Sequence, residues 1–231
     1  MAAAPAGRGG TAKAGASKIT APRLSPVVLQ DLDEDPGRGF RRGARHDGVR
    51  YRRVEADGLE LGGTDFAECE FQGISFNDTQ LRGSSFRDCI LAELYAPVFR
   101  AARSTWRDVE LRNPRLGSAE LYESGWQSVR IDGGKLDFLN LRGAKLTDVL
   151  ITDCIINELD LGSASGTRVA LKNCTIGSLD VSGARLKDFD LRVTEFRSIS
   201  GLGSLAGVVI DDYQLSLLAP LLAAHLGVTV L

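Results

Sequence analysis

The chain has 231 residues, is 43% hydrophobic and 25% charged, and carries a formal net charge of −2 at pH 7. This composition is ordinary for a globular protein, and no apolar run reaches the roughly 18 residues that a transmembrane helix needs. Four cysteines are too few for a disulfide scaffold, and the N-terminus lacks the apolar segment of a secretory signal. We therefore expect a cytoplasmic protein with no membrane partner.

The first quarter of the chain is basic and the remainder is acidic. Residues 1–53 hold 11 Lys/Arg and 5 Asp/Glu, whereas residues 54–231 hold 17 and 25. Residues 1–24 are rich in Ala, Gly and Pro and are predicted to be a disordered tail. Residues 25–58 are interpreted as a basic linker and N-terminal cap. The run FRRGARHDGVRYRR within them is either a weak nucleic-acid-binding arm or a solvated linker, and we prefer the linker.

Bulky apolar residues recur at every fifth position from Leu61 to Phe196. This period fits neither a strand nor a helix. Of the 28 positions in the phase, all but Ala96, Ala101 and Gly166 are large and apolar. The position two residues earlier is mostly small, and the other three positions are mostly polar. Each unit is thus predicted to turn two side chains inward and three outward.

Units such as LNLRG-AKLTD (139–148) and LDVSG-ARLKD (179–188) resemble the A-(D/N)-L-x-x unit of the pentapeptide repeat proteins. The resemblance implies an all-β fold, a right-handed four-sided parallel β-helix with four units per coil. Residues 59–198 would then form about seven coils. Stacked coils place residues 20 apart above one another at the ordinary strand spacing of about 4.8 Å. Each coil would contact only its neighbours, as in other solenoids.

A coil of 20 residues arranges the inward residues in columns. Two columns make up the predicted core: Phe66, Phe86, Trp106, Trp126 and Phe71, Leu91, Leu111, Ile131. The cysteine pairs Cys69/Cys89 and Cys154/Cys174 should also stack, and we interpret them as reduced core residues rather than a redox or metal pair. Residues 93–105, which contain Pro97, are expected to be distorted or to bulge.

The five-residue phase ends after Phe196, and residues 199–231 look like strand, helix and strand. Asp211 or Asp212 can cap the helix start, Gly227 can end it, and Pro220 should kink or divide it. A solenoid needs its open end covered, so capping is the expected role. Four leucines share one helical face and are the candidates for the cap or for a homodimer contact, since dimerising members of the family use this end: Leu215, Leu218, Leu222 and Leu226.

The sequence offers no catalytic, cofactor-binding or metal-binding constellation. Its two histidines, His46 and His225, have no ligand partner at metal spacing, and no glycine-rich phosphate loop follows a strand. We therefore predict a binding protein rather than an enzyme, with no cofactor.

One outward row is acidic and is the candidate partner-binding ridge: Glu68, Asp88, Asp108, Asp148 and Asp188, with Ser128 and Arg168 between them. The resemblance implies a DNA-mimicking binder of DNA gyrase or topoisomerase IV that inhibits the enzyme or protects it from poisons, and hence antibiotic resistance. However, residues 59–198 hold 21 Asp/Glu and 17 Lys/Arg, far from the one charge per about 1.7 Å of DNA. A protein–protein interaction scaffold with an unrelated partner therefore stays open.

Overall fold

The structure is a computed structural model and describes residues 19–230. Eighteen strands, a short 3-10 helix and one α-helix follow one another along these residues. Their bounds are β1 Asp33–Glu34, β2 Arg45–Asp47, β3 Val49–Arg52, β4 Asp65–Ala67, β5 Glu70–Gln72, β6 Ser85–Ala92, β7 Tyr95–Arg100, β8 Thr105–Arg112, β9 Arg115–Glu120, β10 Gly125–Asp132, β11 Lys135–Asn140, β12 Lys145–Thr152, β13 Ile155–Asp160, β14 Ser165–Lys172, β15 Thr175–Asp180, β16 Arg185–Asp190, β17 Glu195–Ser200, the 3-10 helix Leu202–Ser204, β18 Val208–Val209 and α1 Asp212–His225.

All strand pairs among these residues are parallel, and through most of the chain each strand pairs with the one 20 residues further on. Phe86 lies beside Trp106, and Trp106 beside Trp126. The eight-residue strands β6, β8, β10, β12 and β14 bend around a corner and supply two adjacent sides of each coil. A second sheet is formed by the odd-numbered strands β7, β9, β11, β13, β15 and β17. This register confirms the predicted all-β, four-sided parallel solenoid with a C-terminal helix.

The solenoid has about nine turns rather than the predicted seven. An additional turn begins at β2, where His46 pairs with Phe66, and continues through β3, where Tyr51 pairs with Phe71. Both residues occupy inward positions in the same five-residue phase. The prediction counted only bulky apolar residues in the phase and therefore placed the start of the repeat too late, at residue 59. β1 and β18 add partial turns at the two ends.

The core is a continuous apolar column inside the four walls. Both predicted columns face inward and are at most 3% exposed. The rings of Phe66 and Phe86 stack at 5.0 Å between centroids, and those of Phe86 and Trp106 at 4.2 Å. Stacking of this kind contributes about 0.5–1.5 kcal/mol per pair beyond the burial of apolar area.

The expected distortion at residues 93–105 is wrong, because β7 is a regular strand in register with β9. Ala96 is small where a large residue is usual, and buried Phe99 is large where a small one is usual, so the core volume is kept. Pro97 lies at the one position of β7 that the ladder skips. Its missing N–H therefore costs no sheet hydrogen bond.

All four cysteines are buried and unpaired. The Cys69 Sγ donates to the carbonyl oxygen of Ala67 at 3.2 Å, and the Cys89 Sγ to that of Arg87 at 3.3 Å. Burial raises the pKa of the Cys89 thiol, so the protonated form is the stable one. These thiols act as small core residues.

His46 is expected to make the stability of the N-terminal turn depend on pH. Its ring is buried, stacks on Phe66 at 5.1 Å and shares a hydrogen bond of 2.7 Å between Nδ1 and the Tyr51 hydroxyl. Burial lowers the His46 pKa; Asp35 acts in the opposite direction and Arg41 in the same one. The folded protein therefore holds the neutral ring while the unfolded chain takes up a proton near its ordinary pKa of about 6.5.

We expect the free energy of unfolding to fall as the pH drops from 7.5 to 5, and part of that fall to disappear in His46→Gln. Glutamine can still accept from the Tyr51 hydroxyl but does not titrate. Urea unfolding of both proteins at the two pH values measures the difference. An identical pH dependence in the variant would contradict the assignment.

The C-terminal end of the solenoid is covered by the 3-10 helix and α1. Asp211 caps α1: its carboxylate accepts the Gln214 N–H, and the Gln214 side chain accepts the Asp211 N–H. The helix is continuous through Pro220, so it is not divided there, and Gly227 follows its end with a φ of 73°. The predicted final strand is absent from the described residues, whose last five have no strand pairing.

Candidate functional site: the acidic ridge and the N-terminal arm

The acidic ridge lies on a corner where each long strand of the first sheet bends. We define it as the row Glu68, Asp88, Asp108, Ser128, Asp148, Arg168 and Asp188. Every member has a left-handed backbone, with φ between 51° and 57°. Asp is among the few residues besides glycine that adopt this conformation readily. The corner thus gives a local reason for acids at these positions, independent of any partner.

The charge on the ridge is partly neutralised. Arg168 donates Nε and Nη2 to the two carboxylate oxygens of Asp148, each over 2.6 Å. This hydrogen-bonded pair holds the pKa of Asp148 below its usual value, although partial burial opposes the shift. Within residues 19–230, Glu68 and Asp108 form no ion pair, and Asp88 has only its neighbour Arg87 at 3.6 Å. The ridge is therefore a broken row of charge.

Part of the ridge is occupied by an N-terminal segment of the same chain. We call residues 19–30 the N-terminal arm. Three backbone N–H groups of the arm donate to ridge side chains: Thr20 to Asp188 at 3.2 Å, Arg23 to Asp148 at 2.8 Å and Ser25 to Ser128 at 2.9 Å. The arm runs along the solenoid against the order of the coils. Residues 1–18 of the predicted disordered tail lie outside the described residues, but 19–24 are bound to the ridge, because it supplies acceptors for their backbone.

Burial on the neighbouring wall agrees with this placement. Side chains of the arm alternate, and Pro22, Leu24, Val27 and Leu29 are half-buried. Ile90, which points outward two residues beyond the ridge, is only 7% exposed, whereas outward-facing Ile155 on another wall is 52% exposed. The greater burial of Ile90 agrees with an arm that runs along its wall.

The family model for pentapeptide repeats, in eight copies, matches residues 60–92. The same five-residue phase and 20-residue register continue from there to the end of the second sheet. Residues 60–92 are therefore similar to pentapeptide repeats, and the rest of the solenoid continues the same repeat.

Solved structures with a similar fold include two named proteins. QnrB1 in its full-length form, titled a plasmid-mediated fluoroquinolone resistance protein, is 20% identical over 82% of this chain and 94% of its own, with a TM-score of 0.36. HetL of the cyanobacterium Nostoc, titled a pentapeptide repeat protein involved in heterocyst differentiation regulation, is 17% identical over 75% and 93%, with a TM-score of 0.26. No curated protein matches the chain significantly.

The walls of the solenoid carry many ion pairs between coils. Arg142 binds Asp160 at 3.0 Å and Asp180 at 3.1 Å, and Arg100 binds Asp78 at 2.6 Å. Most of these side chains are substantially exposed, where a pair contributes at most about 1 kcal/mol. These pairs place charges of both signs side by side on the walls.

A second row of outward side chains on the solenoid is uncovered. Tyr95, Arg115, Lys135 and Ile155 occupy successive levels of the second sheet, and we call them the open row. Tyr95 is 51% and Ile155 52% exposed. A shallow depression of about 700 Å³ runs beside Tyr95, Arg115 and Lys135. Sequence reasoning did not select this row, although an outward Tyr and Ile in one column were readable from the 20-residue spacing.

The four predicted cap leucines do not share one environment. Leu218 is buried and Leu222 half-buried, whereas Leu215 and Leu226 are 49% and 74% exposed. Gln214, which was not predicted, is the second buried residue of α1. The sequence could have indicated this role, because Gln214 follows Asp211 by three residues, the spacing of a capping box. An exposed apolar stripe forms instead from residues four apart: Tyr213, Leu217 and Leu221.

The part of the protein that the structure describes holds neither a candidate metal site nor a membrane-spanning helix. No group of three or more His, Cys, Asp or Glu side chains there could hold a metal ion. No described helix has the length and apolar character needed to cross a membrane.

Proposed function

We propose that this solenoid is a non-catalytic protein-binding rod whose partner docks on the outer walls. The main support for the proposal is the exposure of the side chains in the open row. Its aromatic, aliphatic and cationic side chains project from a wall that is hydrogen-bonded on both sides, so binding would cost little backbone order. Tyrosine and arginine are the residue types that dominate protein–protein contacts. A partner with acidic and apolar side chains in an extended arrangement fits this row.

Charge reversal on the open row tests the proposal. Wild-type protein, the double variant Tyr95→Glu/Arg115→Glu and the control Lys187→Glu on another wall serve as baits in quantitative affinity capture. We expect at least one partner that the control retains and the double variant loses, while the thermal midpoints of all three stay close. Equal capture by the three baits would contradict a role for this row.

A type II topoisomerase is the most specific candidate partner, and the acidic ridge is the surface that would face it. The support is the family resemblance together with the free carboxylates of Glu68 and Asp108. The decisive assay is DNA supercoiling by purified gyrase with and without this protein and a gyrase poison. Inhibition or rescue at micromolar concentration that is lost in Glu68→Lys/Asp108→Lys would support DNA mimicry. No effect in either assay would leave the protein-binding rod with another partner.

Two chains are proposed to join through α1. The stripe Tyr213, Leu217 and Leu221 is roughly half to two-thirds exposed, an unusual amount of open apolar surface for one helix. We expect a homodimer in light scattering coupled to size exclusion. Leu217→Glu/Leu221→Glu should raise the dissociation constant by roughly 100-fold or more, since each leucine loses an apolar contact and gains a charge. Leu215→Glu, off the stripe, is the matched control; a monomeric wild type would contradict the proposal.

A further inference from the structure

The acidic ridge and the N-terminal arm fit one another as a receptor and an extended peptide. The ridge presents a side-chain acceptor at every coil step except Arg168, and the steps are about 4.8 Å apart. From Asp188 to Ser128 the distance is three coils, about 14 Å, and the five residue steps from Thr20 to Ser25 reach at most about 18 Å. A nearly extended segment is therefore needed to bring both ends into contact, and Pro22 and Pro26 favour that conformation.

Recognition in this contact depends on the backbone of the arm. The three contacts are backbone N–H groups donating to side chains of the ridge. Arg23 adds a positive charge beside Asp148, and this charge also favours the ionised carboxylate. Leu24, Ser25 and Pro26 close over a small cleft of about 230 Å³ whose floor includes Glu110 and Ser128. The ligand class is thus an extended polypeptide with free N–H groups, half-buried apolar residues and an arginine.

We propose that the acidic ridge is a docking surface for an extended peptide and that residues 19–30 of the same chain occupy it. Release of the arm is then the step that makes the ridge accessible to a partner. This inference shares one premise with the proposed function, namely that partners bind to an outer face of the solenoid. It assigns the arm a function, as a competitor tethered at high effective concentration. A partner that uses Asp148 or Ser128 must displace the arm first.

Amide hydrogen exchange of the full chain tests the docked state. The N–H groups of Arg23 and Ser25 should exchange at least tenfold more slowly, after correction for intrinsic rates, than that of Ala21. Ala21 lies between the contacts, and its N–H donates to no group within the described residues. Equal corrected rates at the three positions would overturn the proposal.

Binding of a peptide tests the ridge as a docking surface without any outside partner. Arg23→Pro/Ser25→Pro removes two donors while keeping an extended backbone, and Ala21→Pro is the control. A fluorescent peptide of residues 19–30, ITAPRLSPVVLQ, should bind the double variant at least tenfold more tightly than wild type or control. The same peptide with proline at its Arg23 and Ser25 positions should not bind. Absence of binding to the double variant up to millimolar peptide, or equal binding to all three proteins, would overturn the proposal. Neither result depends on the topoisomerase assay or the open row.

Discussion

Phe86→Asp is expected to destabilise the solenoid by more than about 4 kcal/mol and to abolish folding of its N-terminal half. Phe86 is 1% exposed and lies between Phe66 and Trp106 in the aromatic column. The aspartate would be buried with no cationic partner and would leave a cavity where the ring was. Urea unfolding followed by circular dichroism and tryptophan fluorescence measures the loss.

The variant Phe86→Leu separates the effect of burying a charge from the effect of losing side-chain volume. Leucine keeps an apolar side chain at the same position, and the expected cost is about 1–2 kcal/mol. Unfolding of Phe86→Asp at the same urea concentration as the wild type would mean that residue 86 faces outward. The whole assignment of columns would then be wrong.

Gln214→Met is expected to detach α1 from the end of the solenoid. The buried Gln214 Nε2 donates to the carbonyl oxygens of Leu191 at 2.6 Å and Thr194 at 2.7 Å. Methionine has a similar length but no donor, so two carbonyl groups of the last coil would lose their partner, and the helix would lose half of its capping box. Together these losses should cost about 2–4 kcal/mol.

Hydrogen exchange across residues 212–225 shows whether the helix is released, because a detached helix of this length is barely stable in water. Ser216→Ala is the matched control, since the Ser216 hydroxyl bonds only to the Asp212 carbonyl oxygen within the helix. It should change stability by no more than about 0.5 kcal/mol. Unchanged protection of α1 in Gln214→Met would show that apolar contacts alone, such as that of Leu218, hold the helix.

The fold was predictable because its rule is local and repeated. A large apolar residue specifies the inward direction at 25 of the 28 positions in the phase, so single exceptions such as Gly166 do not obscure it. The number of turns could not be predicted from the positions of large apolar side chains alone. At the first turn the inward residues are a histidine and a tyrosine, whose polar atoms bond to each other inside the core.

The candidate sites were much less predictable than the fold. Arm and ridge meet through backbone N–H groups, which every residue except proline carries, so their pairing leaves little trace in the sequence. The helical face was predicted from spacing alone, which shows that leucines align but not which side is covered. At α1 the covered side is set by Gln214 and Leu218, and the leucines at 217 and 221 remain outside.

The register of 20 residues determines which insertions and deletions the protein tolerates. Removal of residues 125–144, one full coil, would shorten the rod by about 4.8 Å and leave every later side chain on its original wall. Removal of five residues would instead rotate the following part of the rod by a quarter turn. Asp148 and Asp188 would then no longer align with Asp108, and a surface used by a partner would be cut in two. Evolution of the rod's length should therefore proceed in steps of four repeats wherever a continuous wall is under selection.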